Sequence, residues 1–178
     1  MPETLSSETI YKGKIFEVRN DRVREDGSEY ERAVVVHKGS AVIVPLFGDG
    51  TVALVRQYRH PAGKHLLEIP AGSLELGEDP KTGAIRELEE EIGVIATNVD
   101  LLSEFYVSPG FLTEKMHVYL ASGLTETQQN LDEDENIEIV RIPLSEACSK
   151  ALSGEIDDAK TIVGVLLARA RLAERAGC

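Results

Sequence analysis

The segment PKTGAIRELEEEIGV, residues 80–94, constrains the fold of this chain more than any other stretch. Asp79 can cap the first turn of a helix, Pro80 suits the first helical position, and Gly93 suits a left-handed residue at the C-terminal end. The apolar side chains of the segment share one helical face, formed by Ala84, Ile85, Leu88 and Ile92. We therefore predict one helix that runs to about Ile92 and is anchored by packing on that face.

Carboxylates fill the other face of the predicted helix. Glu87 and Glu91 are four residues apart and stack on one stripe, and Glu90 lies beside them. Arg86 can pair with Glu90, which would leave Glu87 and Glu91 less compensated. A glutamate-rich helix is most often only a solvated surface, so the helix alone leaves two interpretations open, a solvated face and a metal site.

The rest of the chain is mostly strand-like and closes with two helices. Residues 10–38 contain strands joined by a turn at Asp26-Gly27, and two β-branched runs flank residues 48–50, which predicts a hairpin of central strands. Further strand patterns cover residues 99–107, 114–124 and 137–143, and helical patterns cover 144–154 and 158–176. This order favours an α+β or mixed α/β fold with one core over a doubly wound parallel sheet.

The charge balance limits the partners of the chain. Its 31 acidic and 19 basic residues give a formal net charge of −12, and no run of Lys and Arg occurs. We therefore expect no nucleic-acid partner, because this charge repels a phosphate backbone. An anionic small-molecule substrate would also be repelled unless a divalent cation came between it and the acidic side chains.

Cysteine usage and hydropathy indicate a cytoplasmic location. The chain has two cysteines, Cys148 and Cys178, which is poor material for a disulfide framework. Its first residues lack the basic start and apolar run of a secretory signal, and no stretch approaches the ~18 apolar residues of a membrane span. We expect no association with a membrane.

The spacing around the helix changes the interpretation of its acidic face. Gly72 is followed after five residues by Glu78 and, after seven more, by the run Arg86-Glu87-Leu88-Glu89-Glu90-Glu91-Ile92-Gly93-Val94. This pattern resembles the Nudix box, position for position. The resemblance implies a Nudix α/β/α sandwich with a mixed central sheet, and hydrolysis of a nucleoside diphosphate linked to another group.

Elementary chemistry explains why such a pattern would bind a cation. Carboxylates at i and i+4 supply hard oxygen ligands for Mg²⁺, which would neutralise the diphosphate and lower the pKa of an attacking water. Gly72 would let the backbone approach a bound ion or phosphate closely, and the first-turn amides of the helix favour anions. The acidic site and an anionic substrate become compatible through the metal.

Other segments resemble one branch of the family. The segment YVSPGFLTE, residues 106–114, with VRQYRH, LLEIPAG, LDEDENIEIVRIPLSEA and GEIDDAKTIVGVLLA, is similar to ADP-ribose pyrophosphatases. The resemblance implies hydrolysis of ADP-ribose to AMP and ribose 5-phosphate with Mg²⁺, for which Mn²⁺ is an alternative. Hydrolysis of ADP-glucose or GDP-mannose remains open, as does a non-catalytic ADP-ribose sensor, against which the intact carboxylate stripe argues.

The same resemblance implies the residues of the site. The metal ligands would be Glu87, Glu90, Glu91 and the Ala71 carbonyl, and Glu91 also has a catalytic role. A loop glutamate, Glu133 or Glu135, would be the catalytic base, with Glu133 slightly favoured. The substrate-side candidates are Arg32, Arg56 and Arg59, which could hold phosphate or stack on a base, together with Glu68, Pro109 and Glu114.

The resemblance also implies a homodimer. Residues 1–40 would form an antiparallel β arm that is exchanged between subunits and brings aromatic and arginine side chains to the adenine pocket of the partner. Residues 41–178 would form the hydrolase domain. Lys38 departs from the family pattern, in which this position often carries proline.

Overall fold

The computed structural model describes residues 1–131 and 136–177. Its strands are β1 (Glu3–Lys12), β2 (Phe16–Glu25), β3 (Ser28–His37), β4 (Ser40–Pro45), β5 (Thr51–Arg59), β6 (Lys64–Glu68), β7 (Ala71–Ser73), β8 (Val94–Tyr106), β9 (Lys115–Glu126) and β10 (Ile137–Pro143). Its helices are α1 (Pro80–Glu87), which continues as a π-helical turn (Leu88–Ile92), α2 (Leu144–Ser153) and α3 (Ala159–Ala176), with a short 3₁₀ turn at His60–Ala62.

The N-terminal strands form a separate antiparallel sheet in the order β1-β2-β3. Its β2–β3 hairpin turns at Asp26 and Gly27, whose φ angles of 50° and 80° are both left-handed. Such a pair of residues produces a tight two-residue turn whose twist matches that of the flanking strands. The predicted turn and the predicted antiparallel strands of the arm are confirmed, and β1 is exposed along almost its whole length.

The predicted turn between β4 and β5 is present and each strand is central in its sheet, but the prediction that the two strands pair as a hairpin is wrong. Gly50 N donates to Phe47 O at 3.0 Å, and beyond the turn Leu46 and Val52 form a single antiparallel bridge. β4 then joins the sheet β7-β4-β9-β8, in parallel with β9, while β5 joins the sheet β10-β5-β6. A turn motif specifies only the reversal of the chain. All of β4 and residues 52–55 of β5 are buried, so packing with distant segments determines which strands lie beside them.

The core has two layers because the residues of the central strands alternate in direction. Val42 and Val44 of β4 pack into one apolar cluster with residues of α2 and α3, while Ala41 and Ile43 pack into a second cluster with α1. Helices therefore cover both sides of the central strands. This arrangement confirms the predicted α/β/α sandwich with a mixed sheet and an N-terminal β arm.

The helix of carboxylates begins and ends where the sequence predicts. Asp79 accepts hydrogen bonds from the backbone N–H groups of Lys81 and Thr82, both at 3.1 Å, and Gly93 closes the helix with a φ of 70°. The π-helical turn at Leu88–Ile92 is not predicted by the sequence pattern. Such turns widen the helix and occur often at functional sites. Among the described residues, no helix is long and apolar enough to span a membrane.

Candidate active site

A cleft of about 650 Å³ opens beside the C-terminal end of α1 and its π turn. One wall carries acidic side chains of α1 and its π turn, next to the backbone of β7, and another carries cationic side chains of β5 and α3. The turn between β1 and β2 also reaches this cleft, with Lys14 and Ile15. The three-dimensional structure therefore brings acidic and basic groups from distant segments into one space.

Arg86 connects the carboxylates of the acidic wall. Its guanidinium donates to Glu78 through Nε and Nη2 at 3.1 and 3.2 Å, and through Nη1 to Glu87 at 2.7 Å and to Glu90 at 2.9 Å. These bonds, those to Glu78 first, raise the pKa of Arg86 further above its ordinary value. The expected pairing with Glu90 is present. The expectation that Glu87 is left less compensated is wrong, because one guanidinium reaches both.

Gly72 provides the space that Glu87 occupies. A Cβ atom at position 72 would overlap the Oε1 and Cδ atoms of Glu87 and would lie 2.6 Å from its Oε2. A side chain at this position would therefore displace the carboxylate, which packs directly on the Cα of Gly72. The sequence predicts a close approach of a ligand to Gly72, and in the structure the neighbouring group is a protein carboxylate.

Glu91 contacts the same short strand from deeper in the protein. Its side chain is buried, and its Oε2 accepts a hydrogen bond from Ala71 N at 3.3 Å. The structure thus brings together the four groups predicted to bind metal, namely Ala71, Glu87, Glu90 and Glu91. Within residues 1–131 and 136–177, however, no three His, Cys, Asp or Glu side chains are grouped closely enough to hold an ion by themselves.

The donor set nevertheless fits a divalent cation. All of its side-chain donors are carboxylate oxygens, and three carboxyl groups, those of Glu78, Glu87 and Glu90, share one guanidinium. Mg²⁺ binds through one or two protein carboxylates and completes its shell with waters and substrate oxygens, so a closed protein cage is not required. Because Gly72 has no Cβ, the Glu87 carboxylate can lie beside the backbone of Ala71, another of the predicted ligands.

The basic wall is organised around a buried carboxylate. Arg59 donates from Nε and Nη2 to the two oxygens of Glu68 at 2.8 and 2.7 Å, and Lys160 Nζ also donates to Glu68. Burial by itself raises the pKa of Glu68, but the bonds from Arg59 and the charge of Lys160 outweigh it and hold this pKa below its ordinary value. Arg59 and Lys160 line the cleft, and Glu68 lies behind them with 1% of its side chain exposed.

Glu114 lies on a third side of the cleft. Its Oε1 accepts a hydrogen bond from Ser40 Oγ at 2.5 Å and lies 3.8 Å from Nδ1 of His37. That ring nitrogen accepts from Gly39 N at 3.0 Å. The hydrogen bond from Ser40 therefore fixes the Glu114 carboxylate at the cleft, where it could contact a substrate.

Several predicted site residues lie elsewhere. The guanidinium of Arg32 stacks over Tyr30 on the arm, with its Cζ 4.2 Å from the ring centroid. Arg56 lies near Glu138, with 3.6 Å between Nε and Oε2. Neither of these arginines, nor Pro109, is among the described residues that line the cleft. Glu133 and Glu135 lie outside the described residues.

Among the residues that line the cleft, sequence reasoning gave no site role to Lys14, Lys38, Gln57 and Lys160. Lys160 follows a helix-capping aspartate and precedes an apolar helix, and a lone lysine at the start of such a face is the signal that could have identified it. Gln57 offers no such signal. Its Oε1 atom is buried and accepts no hydrogen bond from the part of the chain that the structure describes.

Comparisons with known proteins agree with this geometry. The NUDIX domain model matches residues 37–163. The chain is 37% identical to an ADP-ribose pyrophosphatase of Bacillus subtilis and to a methanol dehydrogenase activator of Bacillus methanolicus, over 92% of its length and 90% of theirs. It is 41% identical to an ADP-ribose pyrophosphatase of Mycobacterium tuberculosis, over 94% of its length and 83% of that protein.

More distant relatives extend the comparison. A GDP-mannose pyrophosphatase of Yersinia enterocolitica is 32% identical over 90% of the chain and 91% of that protein. The crystal structure of an ADP compounds hydrolase superposes with a TM-score of 0.83, covering 98% of this chain and 95% of that one. At 24% identity that structure supports the fold alone.

Proposed function

The chain belongs to the NUDIX family, and we propose that it is a metal-dependent pyrophosphatase that hydrolyses ADP-ribose to AMP and ribose 5-phosphate. The observation that carries the choice of substrate is the identity of 37% and 41% to two ADP-ribose pyrophosphatases, over more than nine-tenths of the chain. The opposed acidic and basic walls of the cleft support the chemistry, since a diphosphate needs both a cation and direct charge partners.

The acidic wall would hold the cation. The proposed metal ligands are Glu87, Glu90, Glu91 and the Ala71 carbonyl. The preferred ion is Mg²⁺, for which Mn²⁺ can substitute. When bound, the ion neutralises the diphosphate, polarises phosphorus and lowers the pKa of water. Arg86 keeps Glu87 and Glu90 directed into the cleft, so these side chains are already ordered for binding.

The chain's own residues would bind and activate the other reactants. Arg59 supplies positive charge to the diphosphate, and Glu114 contacts the rest of the substrate. We assign the general base to Glu133, with Glu135 as the alternative, because a loop carboxylate can remove a proton from the attacking water. The remaining proposed residues of the substrate-binding part of the site are Arg32, Arg56, Glu68 and Pro109.

We also propose that the protein is a homodimer in which residues 1–40 are exchanged, next to a hydrolase domain of residues 41–178. Two observations support this. Ile10 and Tyr11 of the arm are 64% and 55% exposed, and Arg32 lies outside the lining of the cleft of its own chain. Burial of such side chains between subunits would be favourable.

Mixing two inactive variants tests the exchange. Arg32→Ala removes a group donated to the partner, and Glu91→Gln removes a group of the chain's own site. A mixed dimer would contain one intact site, so activity should return on mixing after subunit exchange. Light scattering that gives a monomer, or no recovery in a mixture shown to contain mixed dimers, would contradict the arrangement.

Composition supports the remaining parts of the proposal. Two cysteines, one of them the buried free thiol of Cys148, suit a cytoplasmic location, and the net charge of −12 opposes a nucleic-acid partner. The proposed substrate is therefore a small molecule.

A phosphatase-coupled assay tests the activity. ADP-ribose, ADP-glucose, GDP-mannose and NADH would be incubated with the protein and a phosphatase, with Mg²⁺, with Mn²⁺ and with EDTA. We expect the fastest phosphate release from ADP-ribose and none in EDTA. A preference for GDP-mannose would favour the second candidate, supported by the 32% identity to a GDP-mannose pyrophosphatase. Tight binding of ADP-ribose without turnover of any compound would indicate a sensor.

A further inference from the structure

We propose that Lys160 is a positioning residue that fixes the direction of the Arg59 guanidinium through the buried carboxylate of Glu68. The inference rests on the proposed function, because it assigns to Arg59 the binding of the substrate diphosphate. It changes the role of Glu68, which acts behind the cleft wall rather than on the substrate or the metal.

The Arg59 guanidinium is held by a fork of two hydrogen bonds. Nε and Nη2 donate to the two oxygens of Glu68 at 2.8 and 2.7 Å, which fixes the plane of the guanidinium as well as its position. The fork uses two of the five N–H donors of an arginine, and 39% of the side chain remains exposed at the cleft. The other donors are therefore available to an anion in a direction set by Glu68.

Glu68 in turn depends on a second cation. Its side chain is only 1% exposed, and a carboxylate so deeply buried is stable as an ion only when charged partners satisfy its oxygens. Lys160 Nζ donates to Oε2 at 2.5 Å, the same oxygen that accepts from Nη2 of Arg59. Lys160 therefore limits the positions that the Arg59 fork can take.

The first turn of α3 holds Lys160 in place. Asp158, the N-cap residue, accepts from Lys160 Nζ through Oδ1 and from Thr161 N through Oδ2, both at 3.0 Å. The hydroxyl of Thr161 accepts from Ile69 N at 2.8 Å, in a fully buried hydrogen bond. Hydrogen bonds thus join the start of α3 to Glu68 and to Ile69.

This connection relates the basic wall to the acidic wall. Ile69 lies two residues before Ala71, whose N–H contacts Glu91, and three before Gly72, which packs on Glu87. α3 also approaches Ile69 closely at Gly164, where a Cβ would overlap Ile69 Cδ1. The helix α3 therefore sets the direction of Arg59 and also supports the segment of Ala71 and Gly72 beside the proposed metal ligands. A diphosphate must fit between Arg59 and that segment.

A double-mutant cycle tests the inference. Lys160→Met, Arg59→Lys and the double variant would be compared by KM and kcat for ADP-ribose with Mg²⁺, and by Kd for its non-hydrolysable α,β-methylene analogue. Removing Lys160 should raise KM and Kd about tenfold, by analogy with other supporting groups around a site, and change kcat less than about threefold. In the Arg59→Lys background the same change should have an effect below about twofold, because a lysine has no fork to direct.

Two further variants separate positioning from a purely structural role. Lys160→Arg should keep KM within about threefold of the original chain, since its guanidinium can also donate to Glu68 and Asp158. Lys150→Met is the matched control, because Lys150 pairs with Glu155 on the surface of α2, outside the cleft lining. It should leave KM unchanged. If Lys160→Met does not fold, Glu68→Gln takes its place, with the same expected rise in KM.

The outcomes keep this inference apart from the proposed function. Additive effects in the cycle, or an unchanged KM in a folded Lys160→Met variant, would overturn the positioning role even if ADP-ribose is hydrolysed. A chain that hydrolyses none of the compounds but binds the analogue, with non-additive effects on Kd, would refute the activity and support the positioning role.

Discussion

Gly72 and Glu87 are in such close contact that any side chain at position 72 would displace the carboxylate. We predict that Gly72→Ala lowers kcat about 10²-fold or more, because Glu87 must leave its place beside the Ala71 backbone. Loss of the hydrogen bond from Arg86 to the displaced carboxylate should lower the free energy of unfolding by about 1–3 kcal/mol. Steady-state kinetics with thermal unfolding would measure both quantities.

Gly48→Ala is the matched control for that substitution. Apart from its two chain neighbours, no described residue has an atom within 4 Å of a Cβ built at Gly48, and the φ of Gly48 lies outside the left-handed region. It should change the unfolding free energy by less than about 0.5 kcal/mol and leave kcat unchanged. Equal losses in the two variants would remove the special role of the contact between Gly72 and Glu87.

Glu91 lies at the deep end of the proposed metal site. We predict that Glu91→Gln lowers kcat on the order of 10²-fold or more with a modest change in KM, because metal activation acts mainly in the transition state. Glu89→Gln is the control, since Glu89 belongs to the same π turn but is exposed. A near-normal rate for Glu91→Gln in Mg²⁺ would exclude this carboxylate from the mechanism.

The assignment of the base can be tested within one loop. We predict that Glu133→Gln lowers kcat more than Glu135→Gln does, because the proposed base must accept a proton, which an amide cannot do. The measurement is kcat for ADP-ribose at saturating substrate and Mg²⁺. The reverse order would transfer the role to Glu135.

Glu68 should contribute a pH-dependent part of the stability. Its pKa is lowered from the ordinary value of 4.5 in the folded chain, so its contribution is present above that value and is lost as the pH falls through the lower folded pKa. The difference in unfolding free energy between the original chain and Glu68→Gln should therefore be constant near neutrality and shrink at acidic pH. Denaturant titrations at several pH values would measure it, and a difference that grows on acidification would contradict the assigned charge state.

Cys148 should be inert in the folded protein. It is fully buried, its Sγ donates to Val165 O at 3.4 Å, and burial raises the pKa of its thiol. In a Cys178→Ser background we expect no reaction with a thiol reagent at neutral pH until denaturant is added. Rapid modification of the native protein would show that the packing between α2 and α3 opens readily.

The bounds of elements were largely predictable because their signals are local. Asp79 and Gly93 set the limits of the carboxylate helix, and Asp26-Gly27 set the turn of the arm, each through backbone preferences that act within a few residues. The acidic stripe was also evident from spacing, and its relation to Gly72 and Glu78 from the resemblance to the Nudix box. The π-helical turn could not be predicted, since the sequence pattern of these residues is equally compatible with a regular α-helix.

Only the tertiary structure decided how these elements meet. It placed β4 and β5 in different sheets despite the turn between them, because buried strands choose their neighbours by packing. It placed the Glu87 carboxylate against Gly72, where Arg86 donates a hydrogen bond to it. It also brought Lys160 into contact with Glu68, which lies 92 positions earlier in the sequence. The sequence by itself determined the chemical groups and the local segments that carry them. Their pairing depends on contacts that no local pattern encodes, since burial selects partners from the whole chain.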